Sequence, residues 1–282
     1  MNPFSNQIKD VFPDTVSISE ARNSALEQLS GTEFPTPEQE IWRYSKIFDL
    51  DLESLNPSFS APDDKKTELS FLDAKDLSLV SINDGWLGSL KSSQSLGSFQ
   101  GYLGSLADMD EEFAHIQESF NSPKDFFDCL NHSYNPETLV IHVPDGVALE
   151  SPIYIKIQSV ISGQVVCPRI VVNLGENSEA KIVEHHLSGT GLSLSVPVLD
   201  VHVGQNSRLK HCVIQNLGEE PRPLTPGSHL RFADGVIDPD RRLVFCIRED
   251  HSGDGEAINT LVKIDIENGG AGEVIVAGND FY

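Results

Sequence analysis

The stretch GENSEAKIVEHH, at residues 175–186, decides the fold because the chain writes nearly the same phrase again as GQNSRLKHCVIQN at residues 204–216. Each copy has a glycine, a polar residue, Asn and Ser before an alternating run, and Gly175 and Gly204 are 29 positions apart. A unit this short cannot bury a face by itself, so neighbouring copies must stack. The repeat therefore predicts a β-solenoid whose Gly-x-Asn-Ser corner supplies a positive-φ turn once per copy.

Superposing the two copies leaves open which face of the strands points inward. The superposition pairs Lys181 with Lys210, Ile182 with His211, Val183 with Cys212 and Glu184 with Val213. Neither face is apolar in both copies, and two copies cannot fix the inward face. A β-sandwich with a fortuitous repeat therefore stays an alternative to the solenoid.

The sequence around the repeat predicts a run of short strands. After Asp125 the apolar spacing changes from helical to alternating, and turn residues separate the runs. The predicted strands cover residues 139–143, 153–158, 169–174, 180–187, 192–196, 198–203 and 208–215. Their short length and even spacing agree with a solenoid core.

The first part of the chain reads as mainly helical. Residues 17–31 predict a helix, because Ser17 and Glu20 form a capping box and Gly31 follows the last turn. Its apolar face consists of Ile18, Ala21, Ala25, Leu26 and Leu29. Further helices are predicted over residues 36–48 and 106–120, and a strand followed by a turn over residues 77–84.

Composition limits the classes of partner. The chain has 282 residues, enough for two domains, and carries 20 basic against 43 acidic residues, a formal net charge of −23. Such a charge repels phosphates, which argues against nucleic acid or an anionic membrane as a direct partner. There is no basic segment leading into an apolar one at the start, and no run of 18 apolar residues, so we expect a cytoplasmic protein.

Four stretches resemble the SufB/SufD family of iron–sulfur cluster assembly proteins, on the SufD side. They are EIWRYS at 40–45, FFDCLNHSYNPETLVIHVPDGVALESPIYIKI at 126–157, PRIVVNLGENSEAKIVEHH at 168–186 and RLKHCVIQNLGEE at 208–220. The resemblance spans about residues 1–220. It implies a helical N-terminal region followed by a right-handed parallel β-helix that pairs with a SufB-like subunit. It also implies a helical C-terminal domain that binds the SufC ATPase.

The end of the chain departs from that family pattern. Its phrases RFADG, IREDHS, NTLVKID and GNDFY are similar to the β-propeller of prolyl oligopeptidase family serine peptidases. Strands are predicted near residues 243–249, 260–266 and 273–277, which amount to about one antiparallel propeller blade. The G-x-S-x-G elbow of such hydrolases is absent from the sequence, so we expect no peptidase chemistry.

These observations predict a mainly β protein in three parts. They are an N-terminal α/β helical region at residues 1–125, a β-helix core at 126–218 and a propeller-blade-like segment at 219–282. The predicted function is a SufD-like scaffold, not an enzyme, that is incomplete because the SufC-binding domain is missing. Iron or an iron–sulfur cluster would be handled only through the family complex. The alternatives are a peptidase propeller fragment without a catalytic domain and a non-functional fusion product.

The polar residues of the sequence do not indicate a catalytic or metal-binding site. Glu184 and His186 share one face of a strand while His185 points to the other, so a metal ion would need a third ligand such as His211 or Cys212. Hydrogen-bonded or solvent-facing strand residues are the favoured interpretation. We therefore assign no catalytic, cofactor-binding or metal-binding residue.

Other candidate motifs are also interpreted as structural. The histidines His132, His142 and His202 are isolated in the sequence. The four cysteines, Cys129, Cys167, Cys212 and Cys246, lack C-x-x-C spacing, and each is expected to be a small buried residue.

REDHSGDGE at residues 248–256 lacks the calcium-loop frame and is interpreted as a turn. No Walker motif or G-x-G-x-x-G sequence is present, so ATP would be handled by a partner.

Overall fold

The structure of the protein, a computed structural model, describes residues 4, 12, 16–36, 38–39, 50–62, 78–88, 101–109, 123, 125–188, 193–216, 231–232, 242–248, 259–266 and 271–278. The helices are α1 (Val16–Gly31) and α2 (Phe126–Tyr134), with short 3-10 turns at Leu52–Ser54 and Leu106–Asp108. The strands are β1 (Asn56–Pro57), β2 (Ser78–Asn83), β3 (Trp86–Leu87), β4 (Tyr102–Ser105), β5 (Thr138–Val143), β6 (Ile153–Ser159), β7 (Gln164–Val166), β8 (Arg169–Leu174), β9 (Glu179–Ser188), β10 (Ser193–Ser195), β11 (Val198–Val203), β12 (Arg208–Asn216), β13 (Arg231–Phe232), β14 (Arg242–Arg248), β15 (Asn259–Ile266) and β16 (Ala271–Gly278).

In the part of the chain that the structure describes, the strands form three sheets. The orders are β13-β14-β15-β11-β8-β5-β4, β16-β12-β9-β6-β2-β3 and β1-β7-β10. From β5 onward the chain passes through the seven-, six- and three-stranded sheets twice, and then through the first two again as β11 and β12. We call one such pass a circuit. The pairs between circuits are parallel, unlike the antiparallel pairs of a β-sandwich.

Register between the circuits explains the sequence repeat. Val143 pairs with Leu174, and Leu174 pairs with Val203, at separations of 31 and 29 positions. In the six-stranded sheet, β12 pairs with β9 at the offset of 29 that the superposition predicts, with Lys210 beside Lys181. The repeat is therefore confirmed as a register between neighbouring parallel strands.

The main core lies between the seven- and six-stranded sheets. Alternate residues of the facing strands meet there, as the period-2 geometry of strands requires. The buried members include Ile141, Val143, Ile155, Ile157, Ile170, Val172, Leu174, Ile182, Val201 and Val203. The outer face of the seven-stranded sheet is covered as well, because Tyr102, Leu106 and Met109 pack on Val140 and Val171. Strands buried on both faces read as continuous apolar runs, which is the pattern of β5 and β8.

Three corners stack at the ends of β5, β8 and β11. The predicted positive φ is confirmed and lies on the asparagine of the repeat, at +55° for Asn177 and +59° for Asn206. Gly146 takes the equivalent position in the first corner, with φ +70°. The Asn177 N–H donates to the Gln205 carbonyl of the next corner at 2.8 Å, so each corner is hydrogen-bonded to its neighbour.

The glycines that begin the second and third corners serve a different purpose. A Cβ atom on Gly204 would lie 2.8 Å from the carbonyl carbon of Gly175 and 2.8 Å from the Leu174 oxygen. Both contacts are with backbone, which cannot move aside without changing the stacking. The glycines are therefore required because two backbones approach closely, while the asparagines carry the turn.

The helices pack beside the three-stranded sheet and are tied to the circuits by side-chain hydrogen bonds. Leu29 of α1 and Leu130 of α2 share a core with Val165 and Leu194. The buried amide of Asn131 donates to the carbonyl oxygens of Pro168 and Val196, at 2.9 and 2.7 Å. These carbonyls precede β8 and β11, so one side chain of α2 joins two successive circuits.

The seven strands predicted between residues 139 and 215 are confirmed to within one residue at each end. The helix predicted over residues 17–31 and the strand predicted over 77–84 are confirmed as α1 and β2, and a turn at Asp84 and Gly85 follows β2. The helix predicted over 36–48 lies almost entirely outside the described residues. Of the helix predicted over 106–120, only residues 106–109 are described; three of these form a 3-10 turn and Met109 is extended.

One helix was missed. Residues 126–134 form α2, although the sequence was interpreted as β from Asp125 onward. The Asp125 carboxylate accepts a hydrogen bond from the Asp128 N–H at 2.8 Å, so Asp125 is the N-cap of α2. A helix of nine residues shows only two turns of periodicity, too little to identify it from spacing alone.

The tail strands predicted near residues 243–249, 260–266 and 273–277 are found as β14, β15 and β16, but they do not form one blade. The pair of β14 with β15 is antiparallel, as predicted, and β14 also pairs antiparallel with β13, a strand that was not predicted. However, β15 pairs in parallel with β11, and β16 pairs in parallel with β12. The tail therefore extends two different sheets of the circuits instead of closing a separate antiparallel sheet.

We expect Gly204→Ala to destabilise the protein by roughly 1–3 kcal/mol, because the new methyl group would collide with the Gly175 backbone. The measurement is urea unfolding followed by circular dichroism. Gly31→Ala is the matched control, because nothing lies within 4 Å of a Cβ at that position. Equal effects of the two substitutions would contradict the close approach of the corners.

Candidate functional site

A polar cluster inside the core joins two successive circuits. Nε2 of His211, in β12, lies 2.6 Å from Oε1 of Glu184, in β9. The other carboxylate oxygen, Oε2, lies 3.2 Å from Nε2 of His186, two residues further along β9. We call Glu184, His186 and His211 the Glu–His cluster.

The Glu–His cluster is surrounded by aliphatic residues. Register places Glu184 between Ile155 of β6 and Val213 of β12, and it places His211 beside Ile182. All three side chains of the cluster are at most 2% exposed. A carboxylate in such surroundings is tolerated only when it is paired and hydrogen-bonded, so the two imidazoles are necessary partners.

Two opposing effects act on the pKa of Glu184. Burial by itself raises this pKa, but the charge of His211 and the hydrogen bonds from both imidazoles outweigh burial and lower the pKa to about 2. Glu184 is therefore ionised at neutral pH. An ionised carboxylate only accepts hydrogen bonds, so each histidine donates from Nε2.

The geometry does not gather three ligands around one point. Each imidazole contacts a different oxygen of the carboxylate, and the register places His211 and His186 on opposite sides of Glu184 along the strands. In the part of the chain that the structure describes, no group of three or more His, Cys, Asp or Glu side chains is placed to hold a metal ion. The arrangement is a line of proton donors and acceptors, not a chelate.

Part of this cluster was predicted from the sequence. Glu184 and His186 share a face, as expected, and this face points inward. His211 is one of the two residues that were named as a possible third member. Cys212, the other candidate, lies on the opposite face of β12 and is half-buried. The inward face that two copies could not fix is therefore the one that carries Ile182, Glu184 and His211.

His185 belongs to a separate pair on the outer face of the six-stranded sheet. Its Nδ1 atom is hydrogen-bonded to the Tyr154 hydroxyl. Burial lowers the pKa of His185, as do the nearby charges of His186 and Lys156, and burial raises the pKa of Tyr154. Both groups are therefore neutral at pH 7, and one hydrogen bond joins the hydroxyl to the ring nitrogen.

Two of the remaining histidines, His132 and His142, have polar side chains as close neighbours. Nε2 of His132 lies 3.2 Å from Oδ1 of Asp128 within α2. His142 and His202 are isolated in the sequence, but the register of the seven-stranded sheet places them on either side of Asn173. Nδ1 of His142 lies 2.9 Å from the Asn173 amide nitrogen. Hydrogen bonding, which was the favoured interpretation, is thus confirmed for His142.

The cysteines are placed mostly as expected. Cys129 and Cys167 are buried, and burial raises the pKa of both thiols, to about 11 for Cys129. Cys212 is only half-buried, which departs from the expectation of full burial, and burial also raises the pKa of its thiol. The side chain of Cys246 and residues 249–256 lie outside the described part of the chain.

Comparison with known proteins gives two findings. Residues 157–225 match the domain family described as "SUF system FeS cluster assembly, SufBD core domain". The chain is 28% identical over 243 residues to "Protein ABCI7, chloroplastic" of Arabidopsis thaliana. This match covers 76% of this chain and 49% of the Arabidopsis protein. Both findings support the SufB/SufD resemblance. The segment matched to the SufBD core contains all three residues of the Glu–His cluster.

The comparisons also limit the other inferences from sequence. They do not support the resemblance of the tail to prolyl oligopeptidases. The chain spans about half the length of the curated relative that it matches. Neither α1 nor α2, the helices within the described ranges, is long and apolar enough to cross a membrane.

We expect the low pKa of Glu184 to make the free energy of unfolding depend on pH in the acid range. Because this pKa is about 2 in the folded protein against 4.5 ordinarily, the stabilisation is complete above pH 4.5 and is lost as the pH falls toward 2. Between pH 6 and pH 3 the wild type should lose about 2 kcal/mol more than Glu184→Gln, which has no carboxyl group to titrate. Urea unfolding of both proteins at the two pH values measures this difference. An equal loss would show that Glu184 is not held ionised by its partners.

Proposed function

We propose that the protein is a SufD-like scaffold component of iron–sulfur cluster assembly. The observation that carries this proposal is the match of residues 157–225 to the SufBD core domain, a segment that includes strands β8 to β12. These are the strands in which the sequence repeat and the register between circuits coincide. The similarity to the Arabidopsis protein over 76% of the chain adds support that extends beyond that segment.

We further propose that the circuits are coils of a right-handed parallel β-helix. The fixed order of the three sheets, the parallel pairs and the separation of about 30 residues between partners favour this architecture. Among the residues that the structure describes, the interior between the sheets is filled by aliphatic side chains and the Glu–His cluster, so this interior serves packing. Such a molecule acts through its outer surfaces, which favours a scaffold over an enzyme.

The proposed partner is a SufB-like subunit that pairs with this β-helix, and a cluster or its iron would be the cargo of the complex. The resemblance also implies a helical region that binds SufC, and the chain spans about half the length of its relative. The cytoplasmic location stays a prediction, since the similar Arabidopsis protein is named as chloroplastic.

The test is co-expression of the full chain with the SufB-like protein of its own source, followed by size-exclusion chromatography with light scattering. We expect a soluble complex with one copy of each chain, even when no SufC-like protein is added. An unrelated parallel β-helix protein of similar size, co-expressed in the same way, is the control for non-specific pairing of strand edges.

Two results would contradict the scaffold proposal. Elution of the two chains as separate species would show that they do not pair. Elution of this chain in the void volume, with or without its partner, would instead support the fusion-product alternative, because unpaired strand edges promote aggregation.

A further inference from the structure

The tail continues the path of the circuits, although the Gly-x-Asn-Ser sequence does not recur in it. Strand β15 pairs in parallel with all six residues of β11, and β16 pairs in parallel with eight residues of β12. Four residues separate β15 from β16, the same number that separates β8 from β9 and β11 from β12. The step from the seven-stranded to the six-stranded sheet therefore has the same length in the tail as in the second and third circuits.

The residue types of the tail agree with these register positions. The three residues of β15 that adjoin the core members of β11 are all aliphatic: Val262, Ile264 and Ile266. In β16, Val274 and Val276 adjoin inward residues of β12. The tail thus repeats the aliphatic spacing of a circuit along the strands where the main core would otherwise end.

Charged residues of the tail occupy the alternate positions, beside residues of opposite charge. Lys263 of β15 adjoins Asp200 of β11, and Glu273 of β16 adjoins Lys210 of β12. Lys210 also lies beside Lys181 of β9, and two like charges on in-line neighbours are unfavourable. An acidic residue on the other side of Lys210 offsets this repulsion, so the charges as well as the aliphatic residues favour this register.

The stacking of circuits ends at the tail. Each circuit adds parallel strands, but β14 pairs antiparallel with β15, and β13 pairs antiparallel with β14. Among the described residues, the three-stranded sheet ends at β10 and gains no strand from the tail. Strands β15 and β16 therefore form a last, partial circuit, and β14 occupies the edge of β15 that a further parallel strand would need.

Without the tail, β11 and β12 would both be edge strands. The free N–H and C=O groups of an edge strand are a template for pairing with another chain. Because β11 and β12 belong to one circuit, both edges would be open at the same end of the molecule. A second copy carries the same two edges, and two copies can meet through them about a two-fold axis as a closed pair. A second copy of this chain is therefore the partner that these edges fit.

We propose that the tail is an intramolecular cap, in which β15 and β16 occupy the edges of β11 and β12 and keep a second copy of this chain from pairing there. The cap keeps the protein as a single copy, as terminal repeats do in other stacked-repeat proteins. This inference stands on the pairing of the tail strands and does not depend on the proposed function.

Proline substitution in the full chain tests the cap. Proline disrupts pairing in the interior of a strand but is tolerated at its first residue. Ile264→Pro combined with Val274→Pro should release both tail strands, so the molar mass from size-exclusion chromatography with light scattering should rise about twofold. The wild type should have the mass of one copy. Asn259→Pro combined with Ala271→Pro, which changes the first residues of the same strands, is the matched control and should also have that mass.

Three results of this experiment would overturn the proposal. One is an interior proline variant that keeps the mass of one copy, and another is a wild type that already forms pairs. The third is an interior variant that elutes only in the void volume, because a closed two-fold pair has a defined mass.

A cross-link in a chain without proline substitutions gives a second test. In a Cys212→Ser and Cys246→Ser background, His202→Cys and Asp265→Cys place two thiols on in-line neighbours of β11 and β15, within the range that a disulfide spans. We expect the disulfide to form within one chain, which migrates as a monomer on a non-reducing gel. Just below the unfolding temperature, the reduced protein should begin to form pairs because the tail opens locally, whereas the oxidised protein should stay as one copy.

The oxidised and reduced forms are each other's control, because they share one sequence. Disulfide-linked dimers would show that the tail pairs with another copy, and the absence of a cross-link would show that it does not occupy the edge of β11. Equal pairing of the oxidised and reduced forms would show that the tail does not control self-association. Each of these outcomes would overturn the proposal.

Discussion

Hydrogen bonding between one circuit and the next is the constraint on which this structure depends. The N–H and C=O groups of a parallel strand are satisfied by the neighbouring strands, so each circuit must repeat the path of the one before it. The corners must then superimpose as well, which brings the backbone at Gly204 within contact of Gly175. The recurring Gly-x-Asn-Ser sequence is the chemical result of that requirement.

The same register decides the composition of the interior. Once Leu174 is aligned with Val143 and Val203, each inward position forms a column of side chains through successive circuits, and most of these columns are aliphatic. The Glu–His cluster interrupts this pattern. It places an ionised carboxylate where Ile155 and Val213 occupy the equivalent positions of the adjoining strands. A fold that depended only on packing would be better served by an aliphatic residue there.

The sequence predicted the fold best where local and long-range signals agreed. The strands from residue 139 to 215 combine alternation, turn residues and a repeat, and all seven were placed correctly. Helix α2 lacked such support, because its ties to the circuits are made by Asn131, and those contacts involve residues distant in sequence. The joining of β15 and β16 to two different sheets likewise depends on long-range pairing that strand propensity cannot reveal.

Prediction of the Glu–His cluster was limited for a related reason. The period of a strand places Glu184 and His186 on one face, but whether that face is inside depends on the neighbouring sheets. The residue directly beside Glu184 on β12 is Val213, and His211 lies two positions before Val213. The contact between His211 and Glu184 is therefore diagonal, and superposing the two copies does not show it. The neighbours of Asn173 were missed because its partners, His142 and His202, lie about 30 residues away on either side.

Disulfide trapping on the outer face tests the register most directly. In a Cys212→Ser background, Lys181→Cys and Lys210→Cys place two thiols on in-line neighbours, whose Cα atoms are about 4.8 Å apart and within the range that a disulfide spans. The account predicts rapid cross-linking of this pair under mild oxidation, and little for Lys181→Cys with Arg208→Cys, a diagonal pair about 8 Å apart. Preferential cross-linking of the diagonal pair would contradict the stacking of the two copies.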